Sequence, residues 1–134
     1  MRNPAPSDSL KLPLISIVDD DEGIRQALKS LIDSVGFRAE VFDSGEKFLN
    51  SPYLSQTDCL ITDVRMPGMS GLELQERLSA AGRSIPIVFI SAHEDKEARA
   101  RGLRAGAIDF LQKPFACDTL LGAIQAALDT RGDI

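Results

Sequence analysis

Six side chains in this sequence have the chemistry to receive and hold an anionic group. They are the consecutive aspartates Asp19, Asp20 and Asp21, the lone Asp63, the hydroxyl of Ser91 and the ammonium of Lys113. Each follows an apolar stretch of strand length: "LPLISIV" before the acidic run, "CLIT" before Asp63, "IPIVFI" before Ser91 and "IDFLQ" before Lys113. Carboxylates brought close together resist joint ionisation unless a cation joins them. An oxygen-only set suits Mg²⁺, which binds through one or two carboxylates with water and phosphate oxygens completing its shell. A carboxylate nucleophile beside a metal, a hydroxyl and a lysine can take up a phosphoryl group, a transfer that mainly needs positioning and charge neutralisation.

Taken singly, each residue has a plainer reading. "DDDE" ahead of a helix supplies an N-cap and acids that suit the helix dipole. Asp63 before "VRMPGMSG" is a turn former, Ser91 an N-cap, and Lys113 before Pro114 a solvated lysine. The single His93 reads as a surface loop residue, and Met66 and Met69 as loop packing. Arrival of all the reactive groups at successive strand ends is what the plainer readings do not explain.

The elements between them alternate. Leu12 to Val18 is a β-branched run of strand length. In "EGIRQALKSLIDSVG" the apolar residues Ile24, Ala27, Leu28, Leu31, Ile32 and Val35 fall at gaps of three and four, one face of a helix, with Gly36 as its stop. "RAEVF" is a second strand and "SGEKFLNS" a short helix ending before Pro52. "CLITD" is the third strand. "SGLELQERLSAAG" is a helix with a capping box at Ser70 and Glu73. "IPIVFIS" is the fourth strand. "EDKEARARGLRAGA" is a helix in which Asp95–Arg99 and Glu97–Arg101 stand at i,i+4. "IDFLQ" is the fifth strand, and "CDTLLGAIQAALDTR" the last helix. Gly102 and Gly122 lie inside helices, where glycine costs about 0.5–1 kcal/mol. Nearly all-apolar strands alternating with helices predict an α/β doubly wound, five-stranded parallel sheet with five helices. Ligands of such sheets sit beyond the carboxyl ends of the strands, where the six residues fall.

Composition bounds the rest. At 134 residues, 43% hydrophobic and 26% charged, the chain reads as one globular domain. A net charge of −5 argues against nucleic-acid binding by this chain. No apolar run approaches membrane-spanning length, and "MRNPAPSDSLK" lacks the apolar centre of a signal peptide. Residues 1–11 read as a flexible tail, 12–131 as the domain, and 132–134 as its end or the start of a linker. Cys59 and Cys117 lack metal-type spacing and read as reduced thiols, consistent with a cytoplasmic setting.

The stretches "IVDDDEG", "ITDVRMPGMSGLEL", "IVFISAH" and "RAGAIDFLQKPF", in that order, resemble the receiver domain of two-component response regulators. The wording is similar to that of nitrogen-fixation and nodulation regulators, whose full-length members carry a helix-turn-helix output domain. The resemblance implies flavodoxin-like strand order 2-1-3-4-5 and Asp63 as phosphoacceptor. It implies Mg²⁺ (or Mn²⁺) held by Asp19, Asp20, Asp63 and the backbone carbonyl of Arg65, with Asp20 a direct ligand and Asp19 acting through water. Ser91 and Lys113 would bind phosphoryl oxygens, across a cis Lys113–Pro114 bond. Phe110 falls at the position of a rotating aromatic switch, although simple strand packing also accounts for it. Arg65 and His93 would flank the phosphoryl group and tune its lifetime. The implied partners are a sensor histidine kinase and a phosphorylation-dependent second copy. Thr62, where an aliphatic is usual, departs from the pattern, and the third aspartate leaves the register of the acidic pair open.

Other classes fit less well. A phosphatase on a similar fold needs a second acid two residues past the nucleophile, where Arg65 stands. A flavin carrier needs a hydroxyl- and glycine-rich loop after the first strand, where "DDDEG" would repel the phosphate. A receiver-like interaction module that takes no phosphoryl group is the remaining alternative.

Overall fold

Residues 12–131 are described in the computed structural model of the chain; the expected tail at 1–11 and the end at 132–134 lie outside the described residues. The apolar stretches become strands β1 (Leu14–Val18), β2 (Arg38–Phe42), β3 (Cys59–Asp63), β4 (Ile87–Ser91) and β5 (Asp109–Gln112). They alternate with helices α1 (Glu22–Ser34), α2 (Gly45–Leu49), α3 (Gly71–Ala80), α4 (Lys96–Arg104) and α5 (Cys117–Arg131). All sheet neighbours pair in parallel, in the order β2-β1-β3-β4-β5. Order and element count agree with the expectation from sequence. A short 3-10 turn at Leu54–Gln56 was not predicted.

Successive strand residues point to opposite sheet faces, and here both faces are covered. Ile15, Ile17, Cys59, Ile61, Val88, Ile90 and Leu111 pack on one side with Leu28 and Ile32 of α1 and Leu120, Ile124 and Ala127 of α5. Val18, Leu60, Ile87, Phe89 and Phe110 pack on the other with Phe48 of α2, Leu72, Leu74 and Leu78 of α3 and Ala98 of α4. Two-sided burial is why β1, β3 and β4 read as unbroken apolar runs. On α1 the predicted apolar stripe is only partly used: Leu28 and Ile32 are buried, while Ala27 and Val35 stay exposed. Both cysteines are free; Cys59 is buried, and burial pushes its thiol up to about 12, whereas Cys117 is exposed.

Four helices start on side-chain caps, α2 on Ser44, whose hydroxyl accepts from the Lys47 amide at 3.2 Å. Asp21 Oδ1 accepts from the Ile24 amide at 3.1 Å and caps α1. Ser70 and Glu73 form the predicted capping box of α3, with hydrogen bonds of 3.1 and 2.9 Å. The backbone N–H of Ser70 is the main reason the Glu73 carboxyl lies below its usual range. Helix α4 is capped by Asp95, not by Ser91, the hydroxyl of which bonds within its own loop. The predicted i,i+4 pairs of α4 are replaced by longer-range contacts. Asp95 pairs with Arg65, Arg101 reaches Glu76 of α3, and Arg99 donates to the Phe110 carbonyl at 2.8 Å.

The two helical glycines separate. A Cβ on Gly102 would stand 2.9 Å from the Phe89 ring, whereas one on Gly122 meets nothing within 4 Å. Gly102 is therefore required for α4 to lie close against β4, rather than being a mere weakness of the helix. Denaturant melts should find Gly122→Ala more stable by about 0.5–1 kcal/mol. Gly102→Ala should lose about 1–3 kcal/mol through overpacking.

Candidate functional site

β3 lies between β1 and β4, so its last residue, Asp63, has the end of β1 on one side and the end of β4 on the other. The chain must then leave the sheet sharply to begin α3. The Gly71 amide donates to the Val64 carbonyl at 2.9 Å, and a Cβ on Gly71 would stand 2.2 Å from the Asp63 carbonyl oxygen. Only glycine lets the start of α3 pass that close, which explains the glycine eight residues after the acid. The Arg65 amide donates to Asp63 Oδ1 at 3.1 Å and holds the carboxylate at the strand end.

The structure assigns the three consecutive aspartates distinct positions. Asp21 is the cap of α1. Asp19 is buried and Asp20 exposed, and one carboxylate oxygen from each of Asp19, Asp20 and Asp63 lies within 4.8 Å of the others. Asp19 Oδ1 accepts from the Asp21 amide at 2.9 Å. Asp19 Oδ2 is buried without a hydrogen-bond partner. The nearest cation is Lys113 Nζ, 3.5 Å from Asp19 Oδ2 and 3.6 Å from Asp63 Oδ2.

Burial pushes the Asp19 carboxyl above its ordinary value; Asp63 and Asp20 push the same way, while the Asp21 amide and Lys113 oppose. Folded Asp19 thus holds its proton more tightly than unfolded Asp19. Its contribution to stability is fully present below the unfolded pKa and is lost as pH rises through the folded one. A buried carboxylate oxygen that accepts no hydrogen bond, together with one oxygen from each of two further acids, makes a donor set that fits a hard divalent cation.

Ser91 ends β4 with its side chain buried. Its hydroxyl donates to the His93 carbonyl at 2.8 Å and accepts from the His93 amide at 3.2 Å. The Lys113 amide donates to the Ser91 carbonyl at 2.7 Å, and the Lys113–Pro114 bond is cis. Phe110 is buried with its ring centroid 6.0 Å from that of Phe89, tilted by 45°. The burial and the ring contact fit the strand-packing reading of this residue. His93 and Arg65 are both exposed, and the Arg65 guanidinium reaches Asp95 at 2.5 Å.

Thr62, the departure noted above, is buried and bonds the Asp63 carbonyl at 3.0 Å. Asp95 was missed as a partner of the site. Its sequence signal is that of a helix cap, and nothing in the spacing ties it to Arg65. A groove of about 500 Å³ adjoins Lys113, lined by Ile24, Ala27, Leu28, Ala92, Lys113, Pro114 and Phe115. The exposed Ala27 opens onto it.

Comparison with known proteins agrees with this geometry. The response regulator receiver domain family matches residues 15–125. The response regulator TodT of Pseudomonas putida is 50% identical over 115 residues, covering 86% of this chain and 51% of the relative. Nodulation protein W of Bradyrhizobium diazoefficiens is 40% identical over 116 residues, covering 87% and 51%. The solved structure of the response regulator StyR superposes with a TM-score of 0.85 at 47% identity, covering 91% of this chain and 62% of that one. The chain thus spans about half the length of the curated relatives it matches. It belongs to the receiver domain family of two-component response regulators, phosphorylation-activated signalling switches.

Proposed function

We propose that Asp63 is the phosphoacceptor of this receiver domain, 12–131 being the domain, and that a sensor histidine kinase is its donor. The observation that carries the reading is the convergence of Asp19, Asp20 and Asp63 on one strand edge with Lys113 reaching two of them. Receiver domains interact with sensor kinases and generally bind Mg²⁺ in an acidic pocket. In this chain Asp19, Asp20, Asp63 and the Arg65 carbonyl would hold Mg²⁺ (or Mn²⁺). Bound there, the cation neutralises the carboxylates and the oxygens of the incoming group.

An Asp63 carboxylate oxygen attacks the phosphorus of a phosphohistidine. The O–P bond forms as the N–P bond breaks, and the imidazole leaves with the electron pair and takes up a proton. Asp63 then carries about two negative charges in place of one. Lys113 offsets part of this charge, and Ser91 turns its hydroxyl from the His93 backbone to a phosphoryl oxygen. Phe110 follows, and the α4–β5–α5 face changes as a population shift between two states. No external substrate is turned over beyond the phosphodonor. The apolar groove at α1 and Phe115 shares Lys113 with the acidic site, so a kinase helix seated in it would present its phosphohistidine to Asp63. The family reading implies a cytoplasmic setting. Among the described residues no helix is long and apolar enough to cross a membrane.

Output would pass through a second copy of the chain, on the α4–β5–α5 face, and on to transcription control where an output domain follows. β5 is an edge strand, yet Asp109 Oδ1 accepts from the Phe110 amide and Arg99 donates to its carbonyl. These caps disfavour pairing by strand addition and leave side chains of α4 and α5 to make the contact. Nucleic acid is not a partner of this acidic chain.

Three sets of results are expected, the first of them on Asp63 itself. Incubation with a small acyl phosphate adds one phosphoryl group to the parent, read by mass, and none to Asp63→Asn. A parent that stays unmodified would favour a phosphorylation-independent interaction module. In denaturant melts, Mg²⁺ at ten times its dissociation constant stabilises the parent by about 1.4 kcal/mol. Metal-free Asp63→Asn matches or exceeds the parent, since its amide oxygen still accepts from Arg65 and one repelling charge is gone; its gain from Mg²⁺ is smaller. A markedly weaker metal-free variant would make Asp63 a structural acceptor instead.

The second result concerns lifetime. Arg65 and His93 are large side chains two residues past Asp63 and Ser91, and their bulk would obstruct an attacking water. Arg65→Ala and His93→Ala should each shorten the phosphoryl lifetime after loading, followed as loss of the phosphorylated mass. Unchanged decay in both would show that neither side chain shields the group. The third is self-association. Sedimentation with beryllofluoride and Mg²⁺ should show dimers that the untreated protein lacks, and a monomer in both states would point to a different output partner.

A further inference from the structure

The Arg65–Asp95 contact joins the phosphoacceptor loop to the start of α4. At one end, the Arg65 amide is bonded to Asp63 Oδ1 at 3.1 Å, so the residue is anchored to the carboxylate that would be modified. At the other, Asp95 is divided between two tasks: Oδ1 accepts from the Ala98 amide at 3.0 Å and caps α4, while Oδ2 takes the Arg65 guanidinium at 2.5 Å. The pair lies at the surface, with the Arg65 side chain 61% and the Asp95 side chain 19% exposed. Exposed ion pairs shift equilibria only about 1.5- to 5-fold. A phosphoryl group on Asp63 would offer the same guanidinium about two charges and three acceptor oxygens, a stronger match for its planar fork.

We propose that Asp95 is a positioning residue for the phosphoryl group, acting through Arg65. It holds the guanidinium over the start of α4 and makes the phosphoryl group compete for it. This rests on Asp63 as phosphoacceptor. Two consequences follow from the same exchange. The affinity of the site for a phosphoryl group is held below what a free Arg65 would give. Capture of Arg65 also removes the tie between the Asp63 loop and the first turn of α4, while the other ties of that helix, Gln75 to Gly102, Glu76 to Arg101 and Arg99 to Phe110, stay in place.

The test separates the cap from the ion pair. Asn caps helices as well as Asp, so Asp95→Asn keeps the α4 start and removes only the charge; Asp95→Ser is a second cap-forming variant. Beryllofluoride binding in the presence of Mg²⁺ is titrated calorimetrically in the parent, Asp95→Asn, Asp95→Ser, Arg65→Gln and the double variant Arg65→Gln/Asp95→Asn. Asp95→Asn and Asp95→Ser should bind about 2- to 5-fold more tightly than the parent, and the gain should vanish when Arg65 is already Gln. Unchanged or weaker binding in Asp95→Asn overturns the proposal. So does an equal gain in both backgrounds, which would be a general charge effect. A parent that neither binds beryllofluoride nor accepts a phosphoryl group from an acyl phosphate removes the reading of Asp63, and this inference with it.

Discussion

Three carboxylates face one ammonium at the carboxyl edge of the sheet, with Asp19 Oδ2 buried and lacking a hydrogen bond. Holding that imbalance together costs free energy, and the fold supplies it from the apolar packing beneath. β1 and β3 are buried along their whole lengths, so their ends are fixed by the packing of both sheet faces rather than by attraction between the groups they carry. The acids are held close because the strands are held close. A cation held among them would relieve the repulsion that the core packing imposes.

Local backbone chemistry divides similar residues among different tasks. Of three consecutive aspartates, one caps α1, one is buried with an unmet oxygen, and one is exposed at the rim. The division follows from where β1 ends and α1 begins. Asp21 has extended backbone angles and its side chain reaches the Ile24 amide, which leaves Asp19 and Asp20 free for the cluster. The glycine at position 71 works in the same way. It carries no chemistry, but without it α3 could not start so close to the end of β3, and Asp63 would leave the strand edge that gives it its neighbours.

The fold and the strand-end residues were legible because both derive from periodicity. Unbroken apolar runs signal a sheet covered on two faces, and a doubly wound sheet puts the ends of such runs on one edge. Contacts made by long side chains between elements were not legible. Asp95, the cap of α4, and Arg99 within it stand four apart, and sequence spacing favours pairing them. In the structure each is drawn elsewhere, Asp95 to Arg65 and Arg99 to the backbone of β5. Sequence distance gives no ranking among such alternatives, because exposed ion pairs differ by less than the cost of ordering the side chains. The need for Gly102 was hidden for a related reason: its cause is the ring of Phe89 in a different element.

Helix α4 differs from its neighbours in what holds it. Only Ala98 and Gly102 of its nine residues are buried, so it buries little apolar surface compared with α3, which sinks Leu72, Leu74 and Leu78 into the core. To the packing of Ala98 and Gly102 it adds polar ties: the Asp95–Arg65 pair at its start, Arg99 on the Phe110 carbonyl, Gln75 on the Gly102 carbonyl and the Arg101–Glu76 pair. Elements with few buried apolar contacts open at low free-energy cost. Such an element would shift more readily than α3, which would have to break core packing to move. If Asp63 takes up a phosphoryl group as proposed, the charge that the first turn of α4 meets through Arg65 would change, while the core packing of α3 would not.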